Sequence, residues 1–173
     1  MQRYFSQGPW CGPHVRRLGA WWLVTMNSTE PGKISGSFSQ QELERLDEIL
    51  RSSEAKHVLV AMHHQPVPVD APWIDRYALE NPSLFFNFID RDRRVRCIVW
   101  GHVHQDFISQ REGVMLLGAP STVANSLPRT RRFTLDLAGP SFRWLELNSD
   151  GTVKTGIQLI RQGAVAARES GKR

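Results

Sequence analysis

The sequence predicts an α/β layered domain, and three observations carry that reading. Two continuous apolar runs, at 57–62 and 95–100, read as strands buried on both faces. Segments with helical spacing lie ahead of each of them, at 40–51 and around 84–89. Beyond residue 106 the pattern changes to short β-prone runs punctuated by turns, which marks a meander. Strand, helix, strand, helix, strand and then several antiparallel strands describe an α/β domain whose second half is mostly sheet.

The elements follow in order. Residues 20–26 form a short β-prone run that ends at Asn27-Ser28-Thr29 and the turn pair Pro31-Gly32. Ser39 and Glu42 make an S-x-x-E capping box. Leu43, Leu46, Ile49 and Leu50 recur behind it, which predicts a helix over 40–51. The strand at 57–62 is broken by His63-His64-Gln65-Pro66. Pro66, Pro68 and Pro72 make the next segment a loop. Leu84, Phe85, Phe88 and Ile89 give a helix an apolar face, and the strand at 95–100 follows. Further strands are predicted at 107–109, 114–117, 133–137, 142–147 and 153–160. Turns at Glu112-Gly113, Gly139-Pro140 and Asp150-Gly151 separate them. Residues 161–173 are small and charged and are expected to form a flexible tail. There is no internal repeat.

Composition narrows the function classes. A chain of 173 residues makes one domain, and 40% apolar residues suffice for a core. The net charge of +5 suits an anionic ligand. The basic residues are scattered, with local clusters at 91–96 and 129–132. They read as solvated surface, so no nucleic-acid partner is expected. Two cysteines exclude a disulfide framework and suit a reducing compartment. No secretory apolar segment and no apolar run of membrane-spanning length is present, so a cytoplasmic chain without membrane contact is expected. The run Trp10-Cys11-Gly12-Pro13-His14 is close to the W-C-G-P-C redox signature. His14 replaces the second cysteine, so no disulfide can close there, and a redox function is set aside.

Chemistry concentrates in the histidines. Gly101-His102-Val103-His104 follows the second buried strand. An extended strand end would put both rings on one face, with Gly101 letting the backbone approach closely. His63 and His64 end the other buried strand in the same relative place. In open α/β sheets ligand sites lie beyond the carboxyl ends of strands. A histidine pair alone is more often structural, but two groups at neighbouring strand ends point to metal ligation. Imidazole suits borderline metals such as Zn, Fe, Mn or Co. Asp75, Asp90, Asp92 and Asp106 lie nearby in sequence without D-x-H or G-D spacing. His14 and His57 have no ligand pattern.

Longer runs carry a family resemblance. HHQPVP (63–68), PWID (72–75), GHVHQ (101–105) and APST (119–122) resemble the bacterial class III cyclic-nucleotide phosphodiesterases, which are calcineurin-like metallophosphoesterases. So do MNSTEPGKISGSFSQQELERLDEIL (26–50) and RRFTLDLAGPSFRWLELNSDGTV (131–153). The resemblance covers nearly the whole chain and points to the cyclic-AMP branch. It implies a four-layer αββα sandwich, with residues 1–160 forming its C-terminal part. It implies two divalent ions (Fe, Mn or Zn) that activate water to convert 3′,5′-cyclic AMP to 5′-AMP. Carried over by motif, His63 and His102 serve one metal and His104 the other. His64 would stand behind the ligands or face substrate, Asn125 would face the nucleotide, and the metal ligands are the only catalytic groups implied.

The chain departs from the family pattern in containing no D-x-H, G-D-x-x-D or G-N-H-D/E motif. The expectation is a domain lacking its N-terminal part, completed by such a segment or by a homo-oligomer. A catalytic zinc-like site uses three protein ligands, whereas two histidines and one are available here. Weak metal binding and little hydrolysis by the isolated chain are expected. The alternatives are a phosphodiesterase for another substrate, such as a glycerophosphodiester, or a non-catalytic remnant that binds a nucleotide or a partner.

Overall fold

A computed structural model describes residues 13–160. The predicted tail at 161–173 and Cys11 of the W-C-G-P-H run lie outside the described residues. In chain order the elements are β1 (His14–Leu18), β2 (Trp21–Thr25), α1 (Gln40–Ser52), β3 (His57–Met62), α2 (Pro72–Asp75) and α3 (Pro82–Ile89). Then come β4 (Val95–Trp100), β5 (Phe107–Arg111), β6 (Val114–Gly118), β7 (Ser141–Leu147) and β8 (Val153–Leu159).

Six strands form one sheet in the order β1-β2-β3-β4-β6-β5. The central strands β2, β3, β4 and β6 run parallel, and β1 and β5 pair antiparallel at the two edges. β7 and β8 form a separate two-stranded sheet. On one face of the large sheet Val24, Val60, Ile98 and Trp100 meet Leu43 and Leu46 of α1 and Phe85 of α3. On the other face Trp21, Leu59, Cys97 and Leu117 meet Leu145, Leu147 and Val153 of the hairpin. The described residues therefore stack as helices, large sheet and small sheet, a mixed α/β arrangement. A register shift against β3 lies after Val95 in β4. It explains why Val95, Ile98 and Trp100 all join the helix side while Cys97 joins the hairpin side.

α1 forms where its capping box predicts. Ser39 Oγ accepts from the Glu42 N–H, and the Glu42 carboxylate accepts from the Ser39 N–H. Leu43, Leu46 and Leu50 are buried, each contributing about 1.5–3 kcal/mol of apolar transfer. α3 buries Phe85, Phe86 and Ile89, while Leu84 turns to solvent, so the buried stripe is displaced from the expected one.

Two expectations are corrected, and one strand is added. β1 was not among the expected strands. It carries Arg16 and Arg17, and the ladder to β2, the two-residue turn at Gly19-Ala20 and the packing of Val15 on the core hold it. Gly19 has φ +59°, which the first position of a II′ hairpin turn requires. The proline loop contains the single helical turn α2. Residues 133–137 are not a strand, although their apolar residues alternate. Their pairing reduces to one bridge between Ser126 and Leu135, and Leu137 stays exposed. A period-two pattern needs a neighbouring strand edge, and that segment has none beyond this bridge.

Candidate metal centre

The sheet register builds the site. Met62 of β3 stands opposite Trp100 of the parallel β4, so His63 and the Gly101-His102 pair leave the sheet side by side. One ring nitrogen from each of His63, His64 and His102 lies within 4.8 Å of the other two. Among the described residues this group holds three histidines and no carboxylate.

The backbone at the G-H-x-H motif is not extended. His102 has φ 64° and His104 φ 51°, both in the left-handed region. The Val103 N–H donates to the Gly101 carbonyl at 2.6 Å, which closes a γ-turn around His102. Val103 is fully buried and pins that turn. The pleat argument for two rings on one face therefore does not apply. The unusual backbone sits at the histidines, whereas Gly101 keeps a negative φ and would tolerate a Cβ 3.4 Å from His63 Nδ1.

His102 Nδ1 and His63 Nε2 are 3.2 Å apart. Two nitrogens bound to one tetrahedral ion through bonds of about 2.0–2.1 Å stand roughly 3.3 Å apart. His102 Nε2 is buried with no hydrogen-bond partner. Burial, reinforced by His64 and His63, pushes the His102 pKa down to about 4, and burial also lowers those of His63 and His64. The rings are therefore neutral near pH 7, the form that ligates metals. These observations fit a borderline divalent metal at His63 and His102.

His64 is placed differently. It is 4% exposed, and both ring nitrogens have partners. Nε2 lies 2.9 Å from the Ile34 carbonyl, which can only accept, so Nε2 carries the proton. Nδ1 then accepts from the Ser28 hydroxyl at 2.8 Å. The ring centre lies within 5 Å of both neighbours, edge-on to His63 and tilted to His102, and props them, leaving neither nitrogen for an ion.

His104 stands apart from the three-ring group. Its Nδ1 lies 2.9 Å from the Ala124 carbonyl, and its own carbonyl accepts from the Ser126 N–H at 2.9 Å. The loop after β6 is thereby fastened to the motif, with Nε2 as the ring's remaining nitrogen. Asn125 is 4% exposed. Its Oδ1 accepts from the Ser121 N–H, and its Nδ2 donates to the Gly139 carbonyl and to Ser141 Oγ. Its amide therefore shapes the loop rather than turning outward. Cys97 is no nucleophile, because burial raises its thiol to about 12. Sequence reading missed Ser28 and Gly36, the residues that seat His64. Neither carries a motif signal.

The chain matches no family model. It is 37% identical over 143 residues to the 3′,5′-cyclic adenosine monophosphate phosphodiesterase CpdA of Pseudomonas aeruginosa. That match takes in 83% of this chain and 53% of the relative. It is 36% identical over 142 residues to a 3′,5′-cyclic-nucleotide phosphodiesterase of a Nostoc species, covering 82% of this chain and 53% of the relative. The chain thus spans about half the length of the curated relatives it matches. Among solved structures, a dimetal phosphatase from Danio rerio aligns at TM-score 0.49 with 15% identity, over 58% of this chain and 46% of that one.

Proposed function

The chain is a homologue of the cyclic-nucleotide phosphodiesterases over more than 80% of its length, and on that premise we propose that it serves metal-dependent hydrolysis of a phosphodiester, 3′,5′-cyclic AMP to 5′-AMP. The observation that carries the reading is the pair of neutral imidazoles at the carboxyl ends of β3 and β4, whose facing nitrogens stand 3.2 Å apart. His63 and His102 hold one divalent ion (Fe, Mn or Zn), and His104 contributes to a second. When bound, such ions supply Lewis acidity and make water a nucleophile near neutral pH. In the reaction an O–P bond forms from water, the P–O3′ bond breaks, and the 3′-oxygen takes a proton. His64, held by Ser28 and Ile34, keeps the His63 and His102 rings in place.

Three histidines without a carboxylate fall short of the usual ligand count for a pair of ions. The chain alone therefore holds metal weakly and turns over slowly. The test loads the protein with Mn²⁺, desalts it and counts metal per chain. It then joins this chain to the part of the Pseudomonas aeruginosa relative that the match leaves uncovered. The expected results are well under two ions per chain, and cyclic-AMP hydrolysis in the joined protein that His102→Ala lowers by about 100-fold or more. Full hydrolysis in that variant would overturn the reading. Rates on cyclic AMP, a glycerophosphodiester and bis(p-nitrophenyl) phosphate rank the substrates.

The carboxylate-free cluster also favours a second reading, a module that binds a nucleotide without hydrolysing it. Saturable heat on titration with cyclic AMP in a chelator would support it, and an absence of heat would remove it.

A further inference from the structure

The loop that follows β6 presents an apolar and basic surface that the histidine chemistry does not use. Thirteen large apolar side chains are exposed among the described residues, and five of them fall within residues 123–137: Val123, Leu127, Phe133, Leu135 and Leu137. Val123 is 81% and Leu137 89% exposed, so both project into solvent with almost no protein around them. Single exposed apolar residues are ordinary, but a concentration of them marks an interaction surface.

The loop is held in shape. The Leu127 N–H donates to the Thr134 carbonyl at 2.7 Å, and the Asp136 N–H to the Asn125 carbonyl at 2.8 Å, so two short arms run side by side. Phe133 stands edge-on to Trp73 of α2 with ring centres 5.3 Å apart, which braces the loop. The tip between the arms carries Arg129, Arg131 and Arg132. All three are exposed, and none forms an ion pair among the described residues. The acid of the segment is Asp136, whose Oδ1 accepts from the Ala138 N–H. Three unpaired cations therefore accompany the apolar side chains.

We propose that residues 123–137 attach the chain to the surface of an anionic lipid bilayer. No helix among the described residues is long and apolar enough to cross a membrane, but surface attachment needs only apolar side chains at headgroup depth and cations beside them. The three arginines select an anionic surface. The projecting side chains select a bilayer over an acidic protein. A protein partner would need a preformed pocket for each of them, whereas acyl chains close round any shape. Ala124 and Ser126 are fastened to His104, so the bilayer lies at the histidine end of the sheet. This attachment is independent of the reaction proposed above.

The test is flotation of the chain with phosphatidylcholine vesicles, with and without phosphatidylglycerol, which separates bound protein from any that aggregates. The chain is expected to float with the anionic vesicles alone, and less so as salt rises. Arg131→Gln combined with Arg132→Gln should weaken partitioning by about 10–30-fold, and Leu137→Ser by about tenfold. These positions are exposed, so the unfolding midpoint should not move. In anionic bicelles, a nitroxide on the acyl chains should broaden the NMR signals of Val123 and Leu137. No flotation with the anionic vesicles, or equal flotation with both kinds, would overturn the proposal. So would flotation that Leu137→Ser leaves unchanged and soluble polyglutamate abolishes, which would assign the surface to an acidic protein.

Discussion

Ser28 Oγ lies 2.8 Å from His64 Nδ1 and 3.2 Å from the His64 backbone nitrogen, although 36 residues separate the two in the chain. The hydroxyl donates to the ring and accepts from the backbone, so one side chain ties the loop after β2 to the loop after β3. Ser28→Ala leaves both partners buried and unpaired. A loss of about 1–3 kcal/mol in urea unfolding is expected, with weaker Mn²⁺ retention because the ring that props His63 and His102 is freed. An unchanged unfolding midpoint would show that His64 is seated by Ile34 alone.

Gly36 completes the seat beside Ser28. A Cβ there would fall 2.2 Å from His64 Nδ1 and 2.4 Å from the Ser28 carbonyl. The second contact is backbone and cannot swing aside. Gly36→Ala should therefore destabilise by about 1–3 kcal/mol and disturb the His64 ring signals in NMR. Gly32→Ala is a poor control, because its φ is +82° and strain would mix with sterics. Ile34→Ala, at an exposed side chain whose carbonyl remains, is the fair one and should cost little.

Much of this arrangement was legible in the sequence. The capping box at Ser39 and Glu42 located α1, and the apolar runs ending at Met62 and Trp100 located the two strands that carry the histidines. What escaped depends on contacts distant in sequence. Nothing local says that Ser28 will meet His64, or that Ile34 will meet the ring's other nitrogen. The left-handed backbone at His102 and His104 was hidden for another reason. Glycine marks such positions in sequence and histidine does not, so the motif read as extended. Residues 133–137 alternate like a strand, yet the fold offers them only Ser126 to pair with. Arg16 and Arg17 masked β1, which its hairpin with β2 creates.

Arg143 fastens the small sheet to the large one. Its guanidinium is 1% exposed and donates to the Gly118 carbonyl at 3.0 Å, to Thr155 Oγ1 at 2.9 Å and to the Asp106 carboxylate, which is 55% exposed. Asp106→Ala leaves a buried cation facing only neutral acceptors and should cost about 2–4 kcal/mol. Arg143→Met removes the charge and should cost about 1–3 kcal/mol from unpaired carbonyls. Combined, the two changes should cost little more than Arg143→Met alone, because an exposed Asp106 with no cation has nothing to lose. Additive losses in urea unfolding would mean that the ion pair contributes nothing of its own.

Acid stability should depend on Asp92. Its carboxylate accepts from the Arg94 backbone N–H and from Nε, each at 2.9 Å, and from Nη2 at 2.6 Å. Arg94 in turn donates to the Ser53 carbonyl at 2.7 Å and to the Leu50 carbonyl, so it closes the end of α1 against the start of β4. Burial pushes the Asp92 carboxyl up, but the hydrogen bonds and charge of Arg94 outweigh it and hold it below the usual carboxylate range. A carboxyl lowered on folding gives stability that is fully present above its unfolded value, about 3.9, and is lost as pH falls through the folded value. Asp92→Asn should therefore be less stable near pH 7, with the deficit shrinking below about pH 4. The acid limb of its stability curve should be shallower by up to about one proton. Parallel curves for the two proteins from about pH 6 to pH 3 would show that Arg94 holds α1 without help from the carboxylate.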